Sequence, residues 1–264
     1  MLNKFSKLEG CDRIWAIGSI HGNVDSIQKI HKVIFSEFKA NDTIIYLGNV
    51  IGVGPESSSS VNEILKFRAE IMGKFKLKPS SFIFLRGAQE EMLTKLLELH
   101  LSPNPKEILT WMHEHGVDKT LSSYGMDIKD LYKTCELGTV LISKWTTKAK
   151  NLINNYEGHS DYFSYLVHAS FPNTEKILFV NRGVDTSRPL SAQNDCFWWG
   201  FHNFSKTSKP YYNFKKLVRG YDPKKTGPNK NEVVCSLYKG SGFGGPIVAG
   251  LFSSNADIID IIER

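Results

Sequence analysis

Five short stretches carry the side chains whose types could do chemistry, and each contains glycine at or near the end of an apolar run: GSIHG at 18–22, GNVIGVG at 48–54, RGAQE at 86–90, FVNRG at 179–183 and VRGYDP at 218–223. They offer an imidazole at His21, carboxamides at Asn49, Gln89 and Asn181, a hydroxyl at Ser19, a phenol at Tyr221 and a guanidinium at Arg86. The carboxamide oxygens of Asn49 and Asn181 could approach a cation, but hard divalent ions favour charged carboxylates, and the first two stretches contain neither Asp nor Glu. Ser19 stands two residues from His21, yet side chains so close in sequence rarely make a nucleophile and base, and no oriented acid follows.

Positioning these groups falls to three strand-then-helix units. Residues 12–19 read as a buried strand and 24–38 as a helix with apolar residues at helical spacing. Residues 43–49 repeat the strand, a serine-rich loop near Ser57 offers helix caps, and 61–72 is amphipathic. Residues 82–87 form a third strand leading into a helix over 89–101. Such units predict a parallel sheet with right-handed crossovers, whose ligands bind beyond the carboxyl ends of the strands. A mainly helical cap or insertion follows at about 105–170, and a strand returns at 177–183. The last third carries strand signals at 216–221, 233–238, 246–252 and 258–262, which predict a second, more antiparallel sheet. The expected fold is α/β, two packed mixed sheets flanked by helices, in one domain spanning 1–264.

The 264 residues bury a substantial core, without a low-complexity tract or a repeat. The first residues lack an apolar run before a small-residue cleavage site, and no later segment reaches transmembrane length; a cytoplasmic location is expected. Cys11, Cys135, Cys196 and Cys235 form no CxxC pair and read as reduced thiols. The net charge of +6 is scattered, with pairs such as Lys215 and Lys216 or Lys224 and Lys225 and no dense basic run with aromatics, so the sequence has no focused nucleic-acid footprint. Gly240, Gly242 and Gly245 satisfy GxGxxG, but the apolar run after Pro246 reads as a strand rather than a helix, so a hairpin is expected there instead of a dinucleotide site.

In order and spacing the five stretches resemble the blocks of the calcineurin-like metallophosphoesterases, and within them bacterial Ser/Thr protein phosphatases and diadenosine polyphosphate hydrolases. Those blocks run GDxHG, GDxxDRG, RGNHE, a VHAG-like strand and a GHTP-like strand end. WMHEHGVDKTLSSYG resembles the family's cap segment, PLSAQ followed by FWWG its loop after the fourth block, and GSGFGGPIVAGLF its C-terminal hairpin. LVHAS at 166–170 matches the fourth block better by letter than FVNRG, but PLSAQ begins at Pro189, soon after Asn181, and this spacing favours Asn181 over His168.

What the resemblance implies is a four-layer sandwich whose active members clamp phosphate between two divalent ions, Mn, Fe, Zn or Mg, about 4 Å apart. Their mutual repulsion, roughly 15 to 20 kcal/mol at an effective dielectric near 20, must be offset by anionic ligands. The family's six ligand positions fall on Ser19, His21, Asn49, Ala88, Asn181 and Tyr221, and only His21 keeps the family's residue type. The general-acid histidine falls on Gln89, its orienting aspartate on Gly52, and the phosphate-contacting arginine of the second block on Val53; Arg86 matches the third block, in a structural role. A glutamine cannot hand a proton to a leaving alkoxide.

The expectation is therefore a pseudophosphatase with no catalytic residue and no metal cofactor, a scaffold for a protein partner or a phosphorylated small molecule, with no membrane association. Two alternatives stand beside it: a weak metal-dependent phosphoesterase drawing on His21, His168, His202 and Asp222, and a nucleic-acid or ribonucleoprotein binder suggested by net charge alone.

Overall fold

The computed structural model describes residues 4–200 and 204–264, and the chain begins there with β1 (Phe5–Leu8) and β2 (Arg13–Ile17). Then come α1 (Val24–Glu37), β3 (Asp42–Tyr46), α2 (Ser57–Phe75), β4 (Phe82–Phe84) and α3 (Ala88–Leu96). The cap follows as α4 (Pro105–Glu114), α5 (Val117–Ser123), α6 (Ile128–Leu137), α7 (Thr139–Asn154) and α8 (His159–Ser164). Next are β5 (Ala169–Pro172), β6 (Ile177–Val180) and α9 (Cys196–Trp199), and finally β7 (Lys216–Arg219), β8 (Asn229–Lys230), β9 (Val234–Ser236), β10 (Val248–Ser253) and β11 (Ile258–Glu263).

Two mixed sheets pack face to face, one in the order β11-β10-β2-β3-β4 and the other β1-β5-β6-β7-β9-β8. The period-two alternation of a strand sorts its side chains between two cores. From β2, Ile14 and Ala16 point into the layer between the sheets with Phe179, Val218 and Phe252. Trp15 and Ile17 point outward to the helices, where they meet Ile30, Ile64 and Met92. Helix α1 forms because Asn23 caps it by accepting from Ser26 N and because Ile27, Ile30, His31 and Ile34 make one buried stripe. The outer face of the second sheet has a thinner cover, α9 and the loops around Phe204, Tyr211 and Phe214.

Several expectations need correction. The last third of the chain does not make a separate antiparallel sheet: β7 is parallel to β6 and β9 to β7, while β10 crosses over and inserts beside β2 in the first sheet. A buried apolar strand reports that both its faces are covered, not which neighbour covers its edge. The segment Gly240–Gly245 is accordingly a turn leading from one sheet to the other, and the hairpin is β10–β11. The serines near 57 lie inside the first turn of α2, and Ser57, Ser58 and Ser60 are buried; Ser58 Oγ donates to Ser123 O in the cap and Ser57 Oγ accepts from Gly52 N. Strands β1 and β5, which pair in parallel, went unread because four residues with polar members carry almost no periodicity. Among the described residues no helix is long and apolar enough to cross a membrane.

Candidate functional site

Parallel pairing brings the five glycine-flanked stretches together. Ile17 is in register with Tyr46 and Tyr46 with Phe84, so the chain leaves β2, β3 and β4 at one end of the first sheet. Val180 is in register with Arg219 in the second sheet, and Tyr221 N donates to Asn181 O just beyond. A cavity of ≈ 240 Å³ opens between these ends, with His21, Asn49, Val53, Ala88, Gln89 and Tyr221 on its walls. The cap closes one side through Glu114, His115 and Gly116, and Arg182, Trp199 and Phe243 complete the lining.

One buried carboxylate organises the floor. Glu90 accepts from Asn49 N at 2.8 Å, Val50 N at 2.7 Å, Ile51 N at 3.3 Å and Gly87 N at 2.9 Å. Burial pushes its carboxyl above the ordinary range, while backbone N–H donors, among them those of Asn49, Ile51 and Val50, pull the other way by favouring the charged form. The first and second loops are zipped together by Ile20 N and His21 N, which both donate to Asn49 O, and by Gly22 N, which donates to Val50 O. Three non-glycine residues on these loops are left-handed, His21 at φ 53°, Asn49 at φ 54° and Val53 at φ 59°. Each such conformation costs about 1 kcal/mol or more and persists because the surrounding hydrogen bonds over-determine it.

Above that floor runs a chain of neutral groups. Asn49 Nδ2 donates to Ser19 Oγ at 3.2 Å, and Asn49 Oδ1 accepts from Gln89 N at 3.0 Å. Gln89 Nε2 donates to the cap at His115 O, 3.0 Å away. Gly52 sits at φ 88°, and any β-carbon there would collide with the Gln89 carboxamide. The side chain of Gln89 thus fills the space that a side chain at 52 would need, at the two positions where the resemblance placed an acid and its orienting aspartate.

His21 is buried, and neither ring nitrogen has a hydrogen-bond partner. Burial drives its pKa down to about 3, opposed by the Ile51 backbone and helped by Lys225, so the ring is neutral at pH 7. It stands edge-on to Tyr221, Tyr238 and Phe243, at centroid distances of 5.7, 6.0 and 6.2 Å. Asn181 donates through Nδ2 to Leu47 O at 2.6 Å but leaves its buried Oδ1 without a partner.

These donors do not fit a dinuclear metal centre. Around the cavity floor they amount to one imidazole and the neutral oxygens of Ser19, Asn49 and Asn181, two of which already accept hydrogen bonds, while Ala88 offers none. Among the described residues no three of His, Cys, Asp and Glu gather as a ligand set. The one carboxylate of the floor, Glu90, is taken up by backbone N–H donors, so no anionic ligand is left to offset the repulsion between two divalent ions.

The structure gathers His21, Asn49, Ala88, Gln89 and Tyr221 at the cavity, with Ser19 and Asn181 packed against its floor and Gly52 under Gln89. Arg86 turns aside to pair with Glu91 at 2.7 Å. His168 precedes β5 with its ring against Phe197 and Trp198, and Asp222 is buried in an ion pair with Arg219 at 2.9 Å, so neither lines the cavity. His202 lies outside the described residues. Sequence reasoning missed Glu90, which reads as an ordinary first-turn acid of α3, and the wall residues Arg182, Trp199 and Phe243. Arg182 and Trp199 were within reach, since both fall in stretches already singled out.

No protein-family model matches this sequence, and no curated protein does. Solved structures do. A protein provisionally assigned as a diadenosine tetraphosphatase superposes with a TM-score of 0.58 at 16% identity, covering 98% of this chain and 96% of that one. The cold-active protein-tyrosine phosphatase of a psychrophilic Shewanella gives 0.55 at 11% identity, covering 98% and 83%. At such identities the likeness establishes the fold, and the fold is the phosphoesterase-like sandwich to which the five blocks pointed.

Proposed function

We propose that this chain is a pseudophosphatase, a phosphoesterase-like scaffold that binds a protein or a phosphorylated ligand without hydrolysing phosphate esters. The observation that carries this reading is the linked pair at the catalytic positions: Gln89 lies where Gly52 has left room and is anchored to His115 O, so the proton donor and its orienting acid are replaced together by a closed neutral contact. The neutral donor set around His21 supports it from the side of metal chemistry. The test is metal content after expression with manganese, alongside turnover of p-nitrophenyl phosphate. The expected result is substoichiometric metal and no turnover. Turnover that disappears in His21→Ala would sink the proposal.

A second reading, a single-metal phosphoesterase of low activity, is favoured by the unpartnered His21 nitrogens and Asn181 Oδ1. It requires close to one metal per chain, which the same assay reads directly.

A further inference from the structure

Arg182 is the residue of the cavity wall that the metal question leaves unexplained. It follows Asn181 directly, its backbone N is fixed to Phe197 O at 2.8 Å, and its side chain reaches the same cavity as His21 and Tyr221. The guanidinium carbon stands 5.6 Å from the centre of the Tyr221 ring. Gly200 makes room for it, since a β-carbon there would come within 2.5 Å of Arg182 Nε.

Of the other arginines at comparable depth, Arg13 pairs with Asp42, Arg86 with Glu91 and Arg219 with Asp222. Among the described residues Arg182 has no carboxylate partner, a lack it shares with Arg68, which lines a different cavity. A partly desolvated guanidinium is costly without a counter-ion, and a cation–π contact offsets only part of that cost. At the rim Lys225 adds a second positive charge, its Nζ lying 3.6 Å from the centre of the Phe243 ring. Glu114 is the one carboxylate on the lining, and it is exposed on the cap. The opening therefore presents cations and flat aromatic walls.

The geometry points to a metal-free oxyanion site in this cavity, in which Arg182 supplies the positive charge and the rings of Tyr221, Trp199 and Phe243 hold one planar ring of the ligand. The ligand class is a small aromatic oxyanion, an aryl phosphate or an aromatic carboxylate. Arg182 grips it through the planar fork that guanidinium presents to such groups. At ≈ 240 Å³ the cavity falls below the roughly 300–1,000 Å³ of drug-sized sites, so it takes one ring and one oxyanion rather than an extended polyphosphate. The inference rests on the pseudophosphatase reading in one respect: the anion is held by an organic cation in place of metals.

Calorimetric titration in the presence of EDTA tests it, with phenyl phosphate, benzoate, inorganic phosphate and phenol as probes. An aryl anion is expected to bind saturably without metal, at least about tenfold more tightly than inorganic phosphate or phenol, because charge and ring are both recognised. The tighter of phenyl phosphate and benzoate identifies the source of the oxyanion. Arg182→Gln is expected to weaken binding at least about tenfold, and Arg182→Lys to fall between, since it keeps the charge without the fork. Thermal melting of both variants without ligand separates lost binding from lost folding, and Tyr221→Leu checks the ring wall independently. Absence of saturable aryl-anion binding in EDTA overturns the inference, as does unchanged affinity in a folded Arg182→Gln. Turnover of p-nitrophenyl phosphate with manganese would instead overturn the pseudophosphatase reading, so the two failures are distinct.

Discussion

The side chain of Gln89 occupies the space that a side chain at residue 52 would need. The contact links the loop after β3 to the first turn of α3, and Gln89 passes the link on to the cap through His115 O. An aspartate could not be placed at 52 without first moving Gln89, so building an acid pair here demands at least two coordinated changes.

Gly52→Ala tests that coupling. The substitution meets both the Gln89 carboxamide and a φ of 88° that a side chain resists, so a loss of about 2 to 3 kcal/mol is expected in urea unfolding. Adding Gln89→Ala should return the steric share and leave about 1 kcal/mol for the backbone. Strict additivity in the double-mutant cycle would show that the two residues do not press on each other.

Glu90→Gln should be among the most damaging isosteric changes in the chain. It swaps a carboxylate that accepts four backbone N–H bonds for a carboxamide whose NH2 must face some of those donors. About 3 kcal/mol or more is expected, read as a lower denaturation midpoint with an unchanged slope. A change below about 1 kcal/mol would mean that the loops hold themselves without it.

His21 should give the protein a measurable acid sensitivity. Its pKa in the fold is about 3 against about 6.5 when unfolded, so below pH 6.5 the unfolded chain takes up a proton that the folded chain refuses. Stability from this group is flat above pH 6.5 and falls by about 1.4 kcal/mol per pH unit below it, until pH nears 3. Between pH 6.5 and 5 the wild type should lose about 2 kcal/mol more than His21→Gln. His31, His159 and His168 are also shifted downward by burial, but they remain in both proteins and cancel in the difference.

How much of this was legible depended on whether a residue's role is set nearby or at a distance. Strand β2 and helix α1 were readable because Ile14 to Ile17 and the stripe at Ile27, Ile30 and Ile34 each announce their own period. The set His21, Asn49, Ala88, Gln89 and Tyr221 was readable because ordered blocks fix their places at strand ends, and the structure brings these residues to one cavity. Glu90 was not, since its four partners belong to the loop after β3 and to the start of α3, and nothing in RGAQE distinguishes it from a solvent-facing first-turn acid. Arg182 stood in a stretch already singled out, but what marks it, the lack of a carboxylate partner, has no sequence signature.

The insertion of β10 beside β2 fixes an order of events during synthesis. Residues 13–17 find β3 on one side early, but their other edge must wait for residues 249–253. A nascent chain carrying β2, β3, β4 and the whole cap still presents a row of open N–H and C=O groups along Arg13–Ile17, a template for unwanted pairing. Closing a contact across more than two hundred residues is slow, so the growing polypeptide needs that edge shielded, by a chaperone or by its own unfolded remainder, until the late strand arrives.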